Sequence, residues 1–151
     1  MKESAGILAF RNRGGVFEFF LVHPGGPFFV HKDRGWWSIP KGELLDNEEP
    51  LKAAVREFEE ETGATITGTF LPLGTIKQKG GKIIHGWAVE FDLDPVTIVS
   101  NTFELQWPPK SGKMMSFPEI DKAAWFDLAT AQQMINEKQA EFLWRAMASL
   151  V

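Results

Sequence analysis

Between Pro50 and Gly63 two stripes run side by side along one stretch of helical spacing. Leu51, Ala54, Val55 and Phe58 recur at i, i+3, i+4 and i+7, the pattern of an apolar helix face. Glu57, Glu60 and Glu61 stand at i, i+3 and i+4, on a second narrow face beside the first. The pattern predicts a helix over about 49–62, with Asp46 or Asn47 able to cap it, Pro50 in the first turn and Gly63 just past the end. Such a helix can bury its apolar stripe only against another layer. Once it does, three carboxylates are left along the edge of the packed face. Glu59 falls outside both stripes and is expected to face solvent.

That acidic edge is locally unfavourable. Like charges at these spacings repel by roughly 0.2–0.5 kcal/mol per pair, and the helix macrodipole disfavours anions near a C-terminus. Arg56 can pair with Glu60 at i+4 but cannot neutralise three carboxylates. A Mg²⁺ or Mn²⁺ ion, which prefers oxygen ligands, would supply the missing charge. The competing reading is a plain solvated face, because runs of glutamate are usually surface.

The other elements surround this helix. Residues 5–10 (AGILAF) and 16–22 (VFEFFLV) read as a hairpin around Gly14-Gly15. Residues 24–35 read as an irregular loop, and WWSI (36–39) as a short strand stopped by Pro40. Two longer strands are expected at about 65–76 and 82–92, joined by a KGGK turn. Residues 100–118, with Pro108-Pro109 and Ser111-Gly112, read as a loop with little regular structure, and a loop of that length is more often functional or mobile than accidental. AAWF (123–126) reads as a last strand. Asp127 can then cap a helical region over 128–149, broken near Asn136. The order β-β-α-β-β-α points to an α+β domain, an α/β/α arrangement with a mixed sheet and helices packed on it.

Length and charge narrow the function classes. A chain of 151 residues, 44% hydrophobic and 24% charged, reads as one globular domain over 1–151. With no cysteine there are no disulfides, thiolate ligands or cysteine nucleophile. The longest apolar stretch near the N-terminus, GILAF, is too short for a signal core or a membrane span, so no membrane association and a cytoplasmic location are expected. A net charge of −4 with no basic run argues against extended binding along a nucleic-acid backbone. A short polyphosphate stays compatible, since a bound metal inverts the local charge.

Read as a whole, GELLDNEEPLKAAVREFEEETGA (42–64) resembles the signature of the Nudix hydrolases. Gly42, Glu48, Arg56, Glu57, Glu60, Glu61 and Gly63 match all seven fixed positions, and Phe58 and Ala64 fill the apolar slots. At average residue usage, seven such matches by chance run on the order of one in 10⁸. The resemblance implies the family's α/β/α sandwich and a metal-dependent phosphoanhydride hydrolase. It implies that Glu57, Glu60 and Glu61 hold catalytic Mg²⁺ or Mn²⁺, with Glu48 assisting and a backbone carbonyl at Lys41 or Gly42 adding a ligand. Arg56 would orient the carboxylates, and Glu119 would be the general base, with Glu104 as runner-up.

Substrate is less constrained. The resemblance implies a small nucleotide: a nucleoside diphosphate linked to another moiety, such as diadenosine tetraphosphate. The alternatives are a nucleoside triphosphate, or ligand binding without catalysis. The W-x-x-P-K-G pattern of WWSIPKGE (36–43) is similar to Nudix enzymes that cleave dinucleoside or diphosphoinositol polyphosphates. Lys41 could then reach a phosphate, and Trp36 or Trp37 could stack on a base; strand alternation puts the two on opposite faces, so at most one should line the site. Two departures weaken a subclass assignment. Diadenosine polyphosphate hydrolases often carry a tyrosine some 16–18 residues beyond the box, and this chain has none; ADP-ribose-type members often carry a proline about 15 beyond, where Lys79 stands. Lys77, Lys79, Lys82 and His85 around the KGGK turn between the two longer strands are candidate phosphate contacts or a solvated turn. His31, Lys32 and Arg34 are similar candidates, and Trp87 is a stacking or core residue. The assembly is expected to be a monomer or a homodimer.

Overall fold

The run AGILAF needs two hydrophobic surroundings, because a strand sends alternate side chains to opposite faces. A computed structural model, describing residues 2–151, supplies both. Strand β1 (Glu3–Arg13) turns at Gly14-Gly15 into β2 (Val16–Pro24). From β1, Ala5, Ile7 and Ala9 face one layer while Leu8 and Phe10 face the other. From β2, Phe20 and Val22 join the first set and Phe19 and Leu21 the second.

The first layer is helix α1 (Pro50–Thr62), which buries Ala53, Ala54 and Phe58. Leu51 and Val55 are half-buried, so the packed stripe is rotated slightly toward Ala53. Phe58 meets Phe20 and Phe91 with ring centroids 6.2 Å apart in each case. The second layer is α2 (Leu128–Met134) and α3 (Ala140–Leu150), carrying Ala131, Phe142, Leu143 and Ala146 into the other core. Between them lie β4 (Leu71–Lys77), β5 (Ile83–Glu90) and β8 (Ile120–Asp127), in the order β4-β5-β1-β2-β8. A short strand β3 (Lys41–Glu43) pairs with β1, which also runs parallel to β5, while the remaining pairs are antiparallel. The sheet is therefore mixed and sandwiched between helices, the α+β architecture expected from the sequence.

Several local expectations change. WWSI forms no strand: Ser38 and Trp37 make one isolated bridge each, to Val22 and to Ile135. This segment crosses from β2 to the end of α2, and the ladder resumes only past Pro40. Neither Asp46 nor Asn47 caps α1; Glu49 occupies that position without a side-chain hydrogen bond. Pro50 has no N–H to satisfy, and residues 44–48 form their own turn, in which Leu45 N donates to Glu48 Oε1 at 2.9 Å. The strand expected from residue 65 starts at Leu71, because the threonine-rich stretch before it has no neighbouring strand.

The largest revision is residues 100–118, which form a second hairpin: β6 (Thr102–Gln106) and β7 (Met114–Pro118). The Pro-Pro and Ser-Gly signals sit only at its tip. Asp127 does cap α2, and the helical region does break near Asn136, whose side chain accepts from Lys138 N.

Burial of Phe58 makes a direct test of the α1 interface. Phe58→Ala should lower unfolding free energy by about 3–5 kcal/mol, measured by urea denaturation, whereas Trp144→Ala on the exposed side of α3 should stay within about 0.5 kcal/mol.

Candidate functional site

Because Glu61 follows Phe58 by three residues, docking the ring on the sheet carries the carboxylate inward with it. Glu61 is 8% exposed, and its Oε1 has no hydrogen-bond partner among the described residues. Burial pushes its pKa up to about 8, a rise that Glu57 and Glu119 add to and that Lys41 opposes through its ammonium and its backbone N–H. Glu57 is also raised, first by burial, then by Glu60 and Glu119, with Arg56 working the other way. Glu119 is raised by burial and by Glu60. Four carboxylates thus share one neighbourhood, three from α1 and one from the link between β7 and β8.

Arg56 holds the near side of this cluster together. Its Nε and Nη2 donate to the two oxygens of Glu48 at 2.9 Å each, a bidentate clamp. Nη1 donates to Glu57 Oε1 at 2.9 Å and to Glu60 Oε2 at 3.0 Å. Nη2 also reaches the Glu43 carbonyl, at 3.0 Å, fixing the turn before α1. The Arg56 guanidinium holds the Glu48 carboxyl down at about 2, and its own pKa is raised in return. Glu59, by contrast, is exposed and bonds only locally, to Thr65.

The donor set fits a divalent cation. An unpartnered carboxylate oxygen held nearly out of water is costly unless a proton or a cation occupies it. Gly42 presses on the neighbouring carboxylate: a Cβ there would overlap the Glu57 carboxyl, so only glycine lets the β3 backbone come this close. Glu57, Glu60, Glu61 and Glu48, with the carbonyls of Lys41 or Gly42, are the groups that would hold Mg²⁺ or Mn²⁺. Among the described residues no three acidic or histidine side chains already converge as a ligand set. Arg56 takes up one oxygen each of Glu57 and Glu60, so a cation would use their second oxygens or displace the guanidinium.

A cleft of about 180 Å³ opens at this point, lined by Trp36, Ser38, Lys41, Glu61, Glu119 and Ile120 and floored by Val22 and Pro24. A larger hollow of about 540 Å³ near Arg11 and Arg13 lacks this chemistry, and Arg11 there is already paired with Glu18 and Asp92. Of the two tryptophans, Trp36 faces the cleft, while Trp37 is 5% exposed, with its indole donating to Asp33 and its ring against Phe126. Glu104 lies exposed on β6 opposite Ser116 and does not line the cleft.

Lys79 and Lys82 are exposed around the turn between β4 and β5, and Lys77 ends β4; none lines the cleft. His85 bonds Glu3 at 2.7 Å and stacks on Trp87, which packs half-buried against the α1-side core. His31 is exposed, Arg34 bonds Gln133, and the Lys32 ammonium lies 5.3 Å from the Trp36 ring.

Sequence reading missed the residues that hold this site from a distance. Gln139, 1% exposed, accepts from Ile39 N at 3.0 Å and donates to Ser38 Oγ at 3.0 Å. Gly35 N and Trp37 N both donate to the Met134 carbonyl, and Asn136 N donates to Trp37 O. The corner between α2 and α3 therefore sets the path of residues 35–39 into Lys41. His23, fully buried, contacts Asp121 at 2.7 Å and donates to the Lys32 carbonyl at 2.6 Å. Asn101 N donates to Glu60 O, and Glu119 N to Asn101 O, which anchors the second hairpin to α1. A lone buried Gln or His carries no periodic or spacing signal by which to find it.

An acid-edged helix packed on a mixed sheet, with a braced arginine and a glycine pressed against the carboxylates, defines a known class of domain. The NUDIX domain matches residues 2–146, and the chain belongs to that family. Curated relatives include an octanoyltransferase of Myxococcus xanthus, 31% identical over 101 residues, covering 67% of this chain and 25% of that protein. An RNA pyrophosphohydrolase of Bartonella henselae is 38% identical over 66 residues, covering 41% and 35%. The chain's matches thus span about a quarter to a third of the length of these relatives.

Among solved structures, a C. elegans Ap4A hydrolase binary complex aligns with a TM-score of 0.67 at 21% identity, covering 99% of this chain and 98% of that one. The NUDIX domain of Shewanella oneidensis NrtR complexed with ADP ribose aligns with a TM-score of 0.67 at 14% identity, covering 99% and 88%. At these identities the likeness is one of fold. Among the described residues no helix is long and apolar enough to cross a membrane.

The raised Glu61 pKa sets a pH dependence for the metal-free protein. Unfolding exposes a carboxyl that ionises near 4.5, while the folded one keeps its proton up to about 8. Between those values the folded state binds more protons, so stability falls as pH rises. With a chelator present, Tm should drop across this window, and Glu61→Gln should flatten the drop. Added Mg²⁺ or Mn²⁺ should raise Tm more at the upper end of the window than at the lower.

Proposed function

We propose that this chain is a divalent-metal-dependent hydrolase of phosphoanhydride bonds, acting on a nucleoside diphosphate linked to a further group. A dinucleoside polyphosphate such as diadenosine tetraphosphate is the leading candidate. The observation that carries this reading is a cleft lined by Lys41, Glu61 and Glu119, with Glu57 and Glu60 acting on these carboxylates from α1, where a buried Glu61 oxygen has no partner among the described residues. The complete box, Gly42 to Ala64, and the fold shared with an Ap4A hydrolase support it.

When bound, Mg²⁺ or Mn²⁺ would neutralise phosphate charge and make the attacking water more acidic. The chain's own residues supply the rest. Lys41 offers an ammonium to a phosphate oxygen. Arg56 keeps Glu48, Glu57 and Glu60 in a fixed arrangement and does not itself meet substrate. Glu119 takes the proton from the attacking water; its raised pKa brings it closer to the working pH of a general base. In this reading Trp36, on the cleft wall, stacks on a base, while Trp37 is buried against Phe126.

A second reading is favoured by one observation: the S. oneidensis NrtR domain, equally close in fold, was solved with ADP ribose bound. In that reading the chain binds a nucleotide without hydrolysing it. A panel of diadenosine tetraphosphate, ADP-ribose, nucleoside triphosphates and 5′-triphosphorylated RNA, incubated with Mg²⁺ or Mn²⁺ and analysed for products, separates the two. Glu60→Gln and Glu61→Gln are each expected to cut turnover by about a hundredfold or more with the fold intact. Glu59→Gln should leave turnover unchanged. Full activity in both cluster variants would sink the proposal, and binding without any product would favour the second reading.

A further inference from the structure

The loop over 25–36 and the hairpin of β6 and β7 place large apolar side chains in water. Phe28 is 59% exposed and Trp36 42%, and Val30, Met114 and Met115 of the same two segments are exposed as well. The rings form two contacting pairs, joined through the chain neighbours Phe28 and Phe29. Trp107, near the hairpin tip, meets Phe28 edge to face at 5.4 Å, and Phe29, the next residue, meets Trp36 at 5.8 Å. Trp36 is also a wall of the carboxylate cleft, with Lys41, Glu61 and Glu119. One end of the set therefore opens on the proposed chemistry and the other lies at the hairpin.

The rings are exposed on a well-tied frame. Gly25 N donates to the Glu119 carbonyl at 2.8 Å. A Cβ on Gly25 would overlap the Pro118 carbonyl, and one on Gly26 would lie 2.9 Å from the Phe103 ring, so loop and hairpin are pressed together. His23 holds the Lys32 carbonyl from below. Exposed aromatics on a rigid frame beside a site are the usual signature of a ligand surface, because they lose little entropy on binding. Cations mark the near end: Lys32 lies over Trp36, and Lys41 lines the cleft. Aromatic faces next to ammonium groups match a heteroaromatic base attached to phosphates.

We propose that the Phe28–Trp107 pair, continued by Phe29 and Trp36, is the subsite for the nucleobase of the substrate, with the phosphates running past Trp36 to Lys41. The assignment deepens the nucleotide-hydrolase reading above and rests on it for the occupant of the cleft. It places base recognition on the second hairpin and on the loop before the box, outside the box itself. Stacking tolerates any base, so this surface selects for an aromatic group rather than for one base.

Two measurements test it, one of which needs no turnover. The tryptophan indole N–H resonances of the metal-free protein are followed by NMR while adenosine 5′-monophosphate or ribose 5-phosphate is added. The expected result is that the nucleotide shifts the Trp36 and Trp107 signals, assigned through Trp→Phe variants. Ribose 5-phosphate should shift Trp107 little, and Phe28→Ala should weaken nucleotide binding roughly tenfold. In steady-state hydrolysis of the best nucleotide substrate, Phe28→Ala should raise KM by about the same factor, with a smaller change in kcat.

Equal shifts with the base-less sugar phosphate, or unchanged binding in Phe28→Ala, would overturn the subsite. Trp107 shifts that follow protein concentration rather than ligand would overturn it too, because the surface would then pair with a second copy. If nucleotides are hydrolysed but Trp107 never responds, the subsite fails and the hydrolase stands. If the nucleotide binds as described while nothing is hydrolysed, the hydrolase fails and the subsite stands.

Discussion

Phe58 and Glu61 are three residues apart on one helix, so the sheet cannot bury the ring without drawing the carboxylate out of water. Much of the site follows from that coupling. The energy gained by packing Phe58 against Phe20 and Phe91 holds an ionisable group where its charged form is disfavoured. Glu57 and Glu60, one step further round the helix, stay within reach of solvent and of Arg56. The result is a graded set of carboxylates, from one clamped and strongly acidic, Glu48, to one buried and raised, Glu61. A cation can use such a gradient, because it relieves the buried member while the braced members stay oriented.

The second constraint is long-range. Residues 35–40 have almost no ladder of their own, and their backbone groups are satisfied partly by Val22 and Ile7 of the sheet and partly by Met134, Asn136 and Gln139, about a hundred residues away in the chain. The corner between α2 and α3 therefore helps to set the route of residues 35–39, and the ladder to β1 then places Lys41 and Gly42. Glu119 is held in the same indirect way. It ends the second hairpin, whose base is hydrogen-bonded to the Glu60 carbonyl through Asn101 and to Gly25. The cleft lies where the end of β2 and the start of β8 meet Lys41, Glu61 and Glu119.

Which features were legible in sequence follows from the range of the physics involved. The α1 stripes, the Gly63 terminus, the first hairpin at Gly14-Gly15 and the break at Asn136 are local events, and each is legible near its true position. In sequence the second hairpin reads as loop because Pro108-Pro109 and Ser111-Gly112 dominate the stretch, although they occupy only its tip. In TFELQ the half-buried Phe103 and Leu105 alternate with exposed neighbours, a weak period-two signal that the turn residues obscured. The strand expected at WWSI failed for the opposite reason. Its composition suits a strand, but its neighbours are the end of α2 and a single residue of β2. Lys79, Lys82 and His85 have the chemistry of phosphate ligands, yet they lie around β5 and away from the cleft walls.

By itself the sequence determined the helix, its two faces, the position of each box residue and the family they point to, because helical periodicity and fixed spacing act within a few turns of chain. It also limited the tryptophan pair to at most one residue at the site, since neighbouring side chains in extended backbone diverge. Only the tertiary structure decided that this residue is Trp36, that Glu119 rather than Glu104 joins the carboxylates, and that Gln139 and His23 hold the surrounding segments. Those choices depend on which distant segments satisfy one another's buried hydrogen bonds. Pairings of that kind leave no period in a sequence, because the partners are about a hundred residues apart for Gln139 and Asp121 alike.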